Sequence, residues 1–135
     1  MGPGAYGDIV FGITPALDIT ARDLQKKDGQ WTRAKSFATY KPMGPWIETV
    51  KPDDGSRITL RKNGVIMQQA HLSEMIASPE RLVSFLSSQF ILEPGDVIFT
   101  GTPEGVGDIA PGDVVEVEID GVGLLRNTVA GPKAD

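Results

Sequence analysis

Short apolar runs separated by turn residues fill most of the chain. In residues 56–70, "SRITLRKNGVIMQQA", Ile58 and Leu60 alternate with polar neighbours and are followed by an Asn63-Gly64 pair. Alternation of this kind is typical of a strand with one buried face, and Asn-Gly is a pair that two-residue hairpin turns prefer. This stretch therefore predicts a β-hairpin.

Several other segments carry a strand pattern. They are "DIVFGIT" (8–14), "GPWIETV" (44–50), "DVIFTGT" (96–102) and "DVVEVEIDGVGLLRNTV" (113–129), the last of which turns at "DGVG". The pattern of "WTRAKSFATY" (31–40) fits either a strand or irregular backbone. The 16 glycines and 10 prolines mark turns between these runs. The chain is therefore expected to be mainly β with short α-helices.

The clearest helix pattern is "SPERLVSFLSSQFI" (78–91). Ser78 is the expected N-cap and Pro79 the first helical residue. The apolar stripe expected to pack on the sheet consists of Leu82, Val83, Phe85 and Leu86. A second, shorter helix is predicted after "ALDI", where Thr20 and Asp23 have the spacing of a capping box with Thr20 as N-cap.

Composition restricts the possible functions. With 135 residues, the chain is expected to form a single domain over 1–135. The net charge of −5 and the lack of a Lys/Arg cluster argue against nucleic-acid binding. Zero cysteines exclude disulfides and thiolate chemistry. Because no apolar run approaches ~18 residues and the first residues do not resemble a signal peptide, we expect a cytoplasmic protein that does not bind membranes.

The stretch "ALDITARDLQ" (16–25) combines groups that suit an anion and a metal ion. Arg22 and Gln25 are three residues apart, so they share one helix face, and a guanidinium with an amide suits a substrate carboxylate. Asp18, at the corner before the helix, is a suitable ligand for a hard cation. Taken alone, such a stretch is more often a capped helix with surface charges.

Two further stretches offer candidate groups. Lys35 lies between small and aromatic neighbours, where partial desolvation would make its ammonium a strong anion ligand. The loop "FTGTPEGVG" (99–107) has hydroxyls and backbone N–H groups that can bind an anion, although it is not a Walker loop. Each has a more ordinary interpretation, as a solvated lysine and as a tight turn.

Other polar residues are weaker candidates for a functional site. Glu116, Glu118 and Asp120 alternate along a strand and are more often the solvated face of a sheet than a cation site. His71 is the only histidine, and no serine lies in a nucleophile-elbow context. A Ser-His-Asp triad is therefore not expected.

The order and spacing of several motifs resemble the fumarylacetoacetate hydrolase family. The motifs are "ALDITARDLQ", "WTRAKSF", "GPWI", "NG", "SEMI", "LEPGDVIFTGTPEGVG" and "PGDVVEVEIDGVGLLRNTV", and together they extend over residues 11–129. The family includes 2-hydroxyhepta-2,4-diene-1,7-dioate isomerases, acylpyruvate hydrolases and oxaloacetate decarboxylases. The resemblance implies a mixed β-roll with short helices, a homodimer and a divalent metal ion.

The resemblance also implies roles for individual residues. Asp18 matches the family's metal-binding aspartate, and Thr39 a hydroxyl that in some members lies near a cation. Lys35 matches a catalytic lysine near metal and substrate. The residues that match substrate-binding positions are Arg22, Gln25 and Thr102. The expected cofactor is Mg²⁺, with Mn²⁺ or Ca²⁺ as alternatives.

One part of the family pattern is missing from this sequence. The other two metal ligands come from a Glu-x-Glu pair upstream of the aspartate, so the chain resembles the C-terminal part of the family domain, incomplete at its N-terminus. The implied function is metal-dependent hydrolysis, isomerisation or decarboxylation of small 2-oxo or 2-hydroxy-enoic acids and diacids through an enolate, as in aromatic catabolism. The alternatives are a catalytically silent homologue or assembly subunit whose site another chain completes, and a carboxylate-binding module without metal.

Overall fold

The Asn63-Gly64 pair forms the turn of a hairpin, as the alternation around it predicts. In the computed structural model, which describes residues 6–131, β1 (Arg57–Lys62) pairs antiparallel with β2 (Val65–His71). Asn63 has φ 52° and Gly64 has φ 80°, the positive values that a type I′ turn requires at both central residues.

A second hairpin completes the sheet. β3 (Val114–Ile119) and β4 (Gly123–Thr128) are antiparallel and joined by the predicted "DGVG" turn. β1 also pairs antiparallel with β3, so the strand order is β2-β1-β3-β4. An antiparallel sheet accompanied by short helices confirms the predicted fold class.

The buried core lies on one face of this sheet. Val115 and Val117 of β3 pack with Leu125 of β4 and with Leu17, which lies in the "ALDI" segment upstream of the sheet. The intervening carboxylates of β3 form ion pairs on the other face. Glu118 bonds Arg61 at 2.9 Å, and Glu116 lies 3.4 Å from Arg126. These carboxylates thus belong to a charged sheet face, as their alternation indicates.

The helices are short. They are α1 (Tyr6–Ile9), α2 (Arg22–Asp28), α3 (Thr32–Lys35) and α4 (Pro79–Gln89), with a 3-10 turn at Leu72–Glu74. Within residues 6–131, none of them is long and apolar enough to cross a membrane. α3 replaces the strand or irregular backbone expected for residues 31–40.

Two details of the helix predictions were wrong. The N-cap of α2 is Ala21, without a side-chain bond, and the Thr20 hydroxyl accepts a hydrogen bond from Lys35 at 3.1 Å. In α4, Ser78 does cap the helix, accepting from the Arg81 N–H at 3.3 Å. However, Phe85 of its expected apolar stripe is 63% exposed, and only Val83 of that stripe is buried.

Three of the predicted strands do not form ladders. Residues 8–14 begin within α1, and residues 8–14 and 44–50 share a single bridge between Ile13 and Glu48. Residues 96–102 are irregular. Gly95 and Gly101, with φ 100° and 105°, depart from extended backbone near both ends of that run.

An interrupted antiparallel arrangement, which we call the extended pair, consists of residues 13–19 and 40–48. Its hydrogen bonds run from the Ile13 N–H to the Glu48 carbonyl, from Leu17 to Pro42, and from Ile19 to Tyr40, at 2.8, 3.0 and 3.1 Å. Prolines at 15, 42 and 45 have no N–H to donate, which prevents a continuous ladder.

Candidate functional site

The extended pair places Asp18 opposite Lys41. Hydrogen bonds between Leu17 and Pro42 and between Ile19 and Tyr40 flank this position on both sides. Directly opposed residues of an antiparallel pair project to the same face, with Cβ atoms roughly 5 Å apart. The local backbone therefore brings an ammonium to this carboxylate.

Two lysines bind the two oxygens of Asp18. Lys35 Nζ, at the end of α3, donates to Oδ2 at 2.5 Å, and Lys41 Nζ donates to Oδ1. Lys35 also donates to the Thr20 hydroxyl at 3.1 Å. Burial raises the pKa of Asp18, but the hydrogen bonds from Lys35 and Lys41 outweigh it, so the pKa lies below its usual value. Asp18 is therefore an ionised carboxylate held between two cations at neutral pH.

Aromatic rings lie beside both ammonium groups. Lys35 Nζ is 5.9 Å from the centre of the Trp31 ring, and Lys41 Nζ is 5.4 Å from that of Phe99. Both distances fall within the range of cation–π attraction, which suits a charge that is partly removed from water. The rings thus help to hold the lysines where they meet Asp18.

A cavity of about 420 Å³ lies next to this cluster. Its polar lining includes Asp18, Arg22, Lys35 and Thr102, which are four of the six residues singled out from the sequence. Its apolar lining comes from the sheet and the 99–109 loop, and includes Ile58, Leu60, Met67, Phe99, Val115 and Val117. The arrangement suits a small molecule with anionic groups at a polar end and carbon against the sheet.

The other two predicted residues are not among those that line the cavity. Gln25 accepts a hydrogen bond from Arg22 Nη1 at 2.7 Å, so it orients the guanidinium from outside the cavity. Thr39 has φ 71° and lies in the turn between α3 and the extended pair. The roles assigned to all six residues stay predictions.

The loop that carries Thr102 is fixed against β2. Gln68 Nε2 donates to Thr102 Oγ1 at 2.9 Å and to the Pro103 carbonyl at 2.5 Å. Gly105, with φ 97°, lies so close to β2 that a Cβ atom would be 2.0 Å from the Met67 carbonyl oxygen. This close approach requires glycine and sets the height of the loop above the strand.

The described residues do not by themselves fit a bound divalent cation. Residues 6–131 contain no group of three or more His, Cys, Asp or Glu side chains that would hold a metal ion. Asp18 is a single carboxylate, and both of its oxygens bond ammonium groups. Mg²⁺ and Ca²⁺ need several oxygen ligands, so a cation here would need ligands from outside these residues and displacement of a lysine.

Two residues of the site were missed in the sequence. Lys41 gives no signal because its approach to Asp18 depends on the register between two segments that carry no regular strand pattern. Gln68 belongs to an alternating strand, but the sequence does not show that the 99–107 loop crosses over it. Both contacts are long-range, and neither follows from local periodicity.

Comparison with known proteins identifies relatives over nearly the whole chain. The model of the family described as "Fumarylacetoacetate (FAA) hydrolase C-terminal" matches residues 4–130. An uncharacterized protein of Archaeoglobus fulgidus is 53% identical over 121 residues, which are 90% of this chain and 48% of that protein. The mouse mitochondrial oxaloacetate tautomerase FAHD1 is 42% identical, over 88% of this chain and 57% of its own length.

The fold is similar to that of a solved relative. The crystal structure of a 5-carboxymethyl-2-hydroxymuconate delta-isomerase from Mycobacterium smegmatis superposes with a TM-score of 0.94 and 40% sequence identity. The match covers 99% of this chain and 53% of that structure. The chain thus spans about half the length of the relatives it matches.

Proposed function

This chain belongs to the fumarylacetoacetate hydrolase family, and from that membership we propose that it forms the substrate-binding part of an enzyme for small 2-oxo or 2-hydroxy-enoic acids. The proposed reaction is isomerisation, including keto-enol tautomerisation, or hydrolysis or decarboxylation through an enolate. Relatives named as an oxaloacetate tautomerase and a hydroxymuconate isomerase support this substrate class.

The observation that carries the proposal is the cluster of Asp18, Lys35 and Lys41 beside the cavity, which Asp18 and Lys35 line. Asp18 neutralises part of the positive charge, and its hydrogen bonds hold Lys35 Nζ in one place. A fixed ammonium in a partly buried site stabilises negative charge that develops on a nearby oxygen, and the group needs no reorganisation during the reaction.

Three polar residues of the lining, Arg22, Lys35 and Thr102, have a part in the proposed reaction. Arg22 pairs with a substrate carboxylate through its guanidinium, which Gln25 orients. Thr102 donates a hydrogen bond to a carboxylate oxygen. Lys35 Nζ donates to the enolate oxygen that forms when a proton migrates or a carbon–carbon bond breaks. Fixing the acid at several points aligns the reacting carbon and reduces the entropic part of the barrier.

The proposal includes a divalent metal ion only if ligands from outside the described residues complete its site. Mg²⁺, Mn²⁺ or Ca²⁺ would supply Lewis-acid stabilisation if oxygens from elsewhere joined Asp18. Since residues 6–131 do not complete such a site, none of the roles above is assigned to a metal ion. A homodimer or a partner chain that completes the site, and a cytoplasmic location, likewise stay predictions.

The proposal is tested by following oxaloacetate and an acylpyruvate by absorbance with the purified protein, with and without Mg²⁺. We expect turnover of at least one of them, and its loss in Asp18→Asn. Asp28→Asn is the matched control because Asp28 also bonds a cation, Arg33 at 2.5 Å, but does not line the cavity. Unchanged turnover in Asp18→Asn would contradict the proposed site.

The second candidate is a catalytically silent subunit whose site another chain completes. The observation that favours it is the incomplete ligand set around Asp18. In that case the purified protein binds oxalate, an enolate mimic, but turns over neither acid. Turnover by this protein alone would eliminate this candidate.

A further inference from the structure

We infer that Gln68 is a positioning residue that sets the direction of the Thr102 hydrogen bond, so that the Thr102 hydroxyl offers its proton to an anionic oxygen in the cavity. This inference rests on the proposed function, in which Thr102 binds a substrate carboxylate. The additional point is that the Gln68 amide makes the Thr102 hydroxyl a donor toward the cavity.

Gln68 is a buried polar residue on an edge strand. It lies on β2 opposite Leu60 of β1, both residues line the cavity, and Gln68 is only 7% exposed. A buried amide is costly unless it is hydrogen-bonded. Its Nε2 bonds two acceptors of the 99–107 loop, Thr102 Oγ1 at 2.9 Å and the Pro103 carbonyl at 2.5 Å.

The Pro103 carbonyl determines which way the amide faces. A carbonyl oxygen only accepts, so the amide atom 2.5 Å from it must be the NH₂ nitrogen. The flipped amide would place its oxygen against the Pro103 oxygen and leave two acceptors in contact. Both Nε2 hydrogens are therefore used, one on Pro103 and one on Thr102.

The direction of the Thr102 hydrogen bond follows from this orientation. A threonine hydroxyl has one proton and two acceptor positions. Because Oγ1 accepts from Gln68, its own proton is free to point elsewhere, and Thr102 lines the cavity. The site therefore presents a donor at this point, which favours a carboxylate or enolate oxygen over an ammonium.

The loop has a second attachment that does not depend on Gln68. Gly105 packs against the Met67 carbonyl with no room for a side chain. A Gln68→Met variant keeps the length and volume of the side chain but loses both donors. We therefore expect its loop to stay on β2 while the Thr102 proton becomes free to point in either direction.

The test is a double-mutant cycle read by calorimetric titration of oxalate. We expect Thr102→Val to weaken oxalate binding by roughly 10-fold or more, which corresponds to the loss of one hydrogen bond to a charged group. Gln68→Met should weaken it by roughly 3- to 10-fold in the wild-type background and leave it unchanged in the Thr102→Val background. Gln68→Glu, which reverses the hydrogen bond, should weaken binding more than Gln68→Met.

Gln69→Met is the matched control. Gln69 is the next residue of β2, is exposed, and bonds Thr59 at 3.1 Å without lining the cavity. It should bind oxalate as the wild type does. Equal losses from Gln68→Met in both backgrounds, or no loss in either, would overturn the inference.

A second measurement separates this inference from the proposed function. Nuclear magnetic resonance of the unliganded protein reports the two Gln68 side-chain amide protons directly. We expect one of them to shift in Thr102→Val and the other to keep its position, because the Pro103 bond remains. If the wild type binds no oxalate, the proposed function fails. The amide spectrum still decides the inference, since two unchanged amide protons in Thr102→Val would refute it.

Discussion

The sheet and the extended pair use the same antiparallel backbone pairing with different results. The sheet forms unbroken runs of paired residues, such as the six from Val114 to Ile119 of β3, which pair with β4. The extended pair forms only the isolated bridges Ile13–Glu48 and Ala16–Met43. The difference lies in proline, which is frequent in the extended pair and absent from all four strands.

The two regions contribute differently to the candidate site. In the sheet, one face carries apolar side chains such as Val117, which line the cavity, and the other carries ion pairs such as that of Glu118 with Arg61. In the extended pair, the backbone pairing places Lys41 opposite Asp18, and Lys35 at the end of α3 bonds the same carboxylate. The sheet thus supplies a stable wall, and the irregular segment supplies the charged groups.

The largest effect is expected from removing the charge of Lys35, which bonds Asp18 of the extended pair. Lys35→Met should lower kcat/KM for the acid that the protein turns over by roughly 10²- to 10³-fold, the usual loss when one preorganised donor is removed from a developing oxyanion. Folding stability should change little, because Lys35 is part of no apolar cluster. Steady-state kinetics and urea denaturation of the same variant measure the two effects.

Lys27→Met is the control for that variant, because Lys27 is an exposed lysine of α2 outside the cavity. It should keep full activity. If Lys35→Met kept the activity of the wild type, Lys35 would have no part in the chemistry. The charged groups beside the sheet would then not include the group that stabilises the reacting oxygen.

A core substitution tests whether the two regions unfold together. Leu17 of the extended pair and Leu125 of β4 are 5% and 7% exposed and belong to one cluster. Leu17→Ala and Leu125→Ala should each lower the free energy of unfolding by ~2–5 kcal/mol, because each leaves a cavity in that cluster. Urea denaturation gives both values.

Leu124→Ala serves as the control, since Leu124 is 41% exposed on the other face of β4. Its loss should stay below about 1 kcal/mol. A small loss for Leu17→Ala beside a large loss for Leu125→Ala would mean that the extended pair opens on its own, separately from the sheet.

The sheet could be predicted from local patterns because each of its signals is short-range. Asn63-Gly64 marks one turn, "DGVG" marks the other, and alternation identifies the buried face of β3. The predicted start and cap of α4 were correct for the same reason. The predicted burial of Phe85 was wrong, because periodicity gives the apolar face of a helix but not the amount of surface available to cover it.

The candidate site was predicted only through family resemblance. Residue type and spacing alone gave a capped helix, a lysine and a glycine loop, each with an ordinary interpretation. The contact between Asp18 and Lys41 depends on a register that the prolines interrupt, and the contact between Gln68 and Thr102 joins residues 34 positions apart. Neither contact has a local periodic signal, so only the folded chain reveals them.

A smaller effect is expected when Lys41 is neutralised in a metal titration. Mg²⁺ should bind this protein weakly, because Asp18 supplies one carboxylate and two ammoniums already bond it. Oxalate should tighten binding by adding oxygen ligands. Lys41→Met should raise the affinity for Mg²⁺ by roughly 10-fold, since a repelling charge and a competing hydrogen bond are both removed.

Calorimetry with Mg²⁺ alone and with Mg²⁺ plus oxalate measures both effects, and Lys62→Met is the control. Lys62 also lines the cavity, but it bonds the Asp108 carbonyl at 3.1 Å instead of Asp18. Tight Mg²⁺ binding that survives Asp18→Ala would place the cation elsewhere. An unchanged affinity in Lys41→Met would show that this lysine does not compete with the cation.

The smallest effect concerns an ion pair outside both regions. Glu80, in the first turn of α4, accepts from Lys51 at 2.6 Å, and this bond together with the Glu80 N–H and the Ser78 hydroxyl lowers its pKa from 4.5 to about 2. A depressed pKa in the folded state contributes stability that is fully present above the unfolded pKa and is lost as the pH falls from about 4.5 to about 2.

Since the pair is solvent-exposed, Glu80→Gln should cost less than about 1 kcal/mol at pH 7, and the difference from wild type should vanish near pH 2. Urea denaturation at several pH values measures this, with Glu93→Gln, an exposed glutamate beyond α4, as the control. A difference that grows as the pH falls would show that the Lys51 bond does not stabilise the charged form of Glu80.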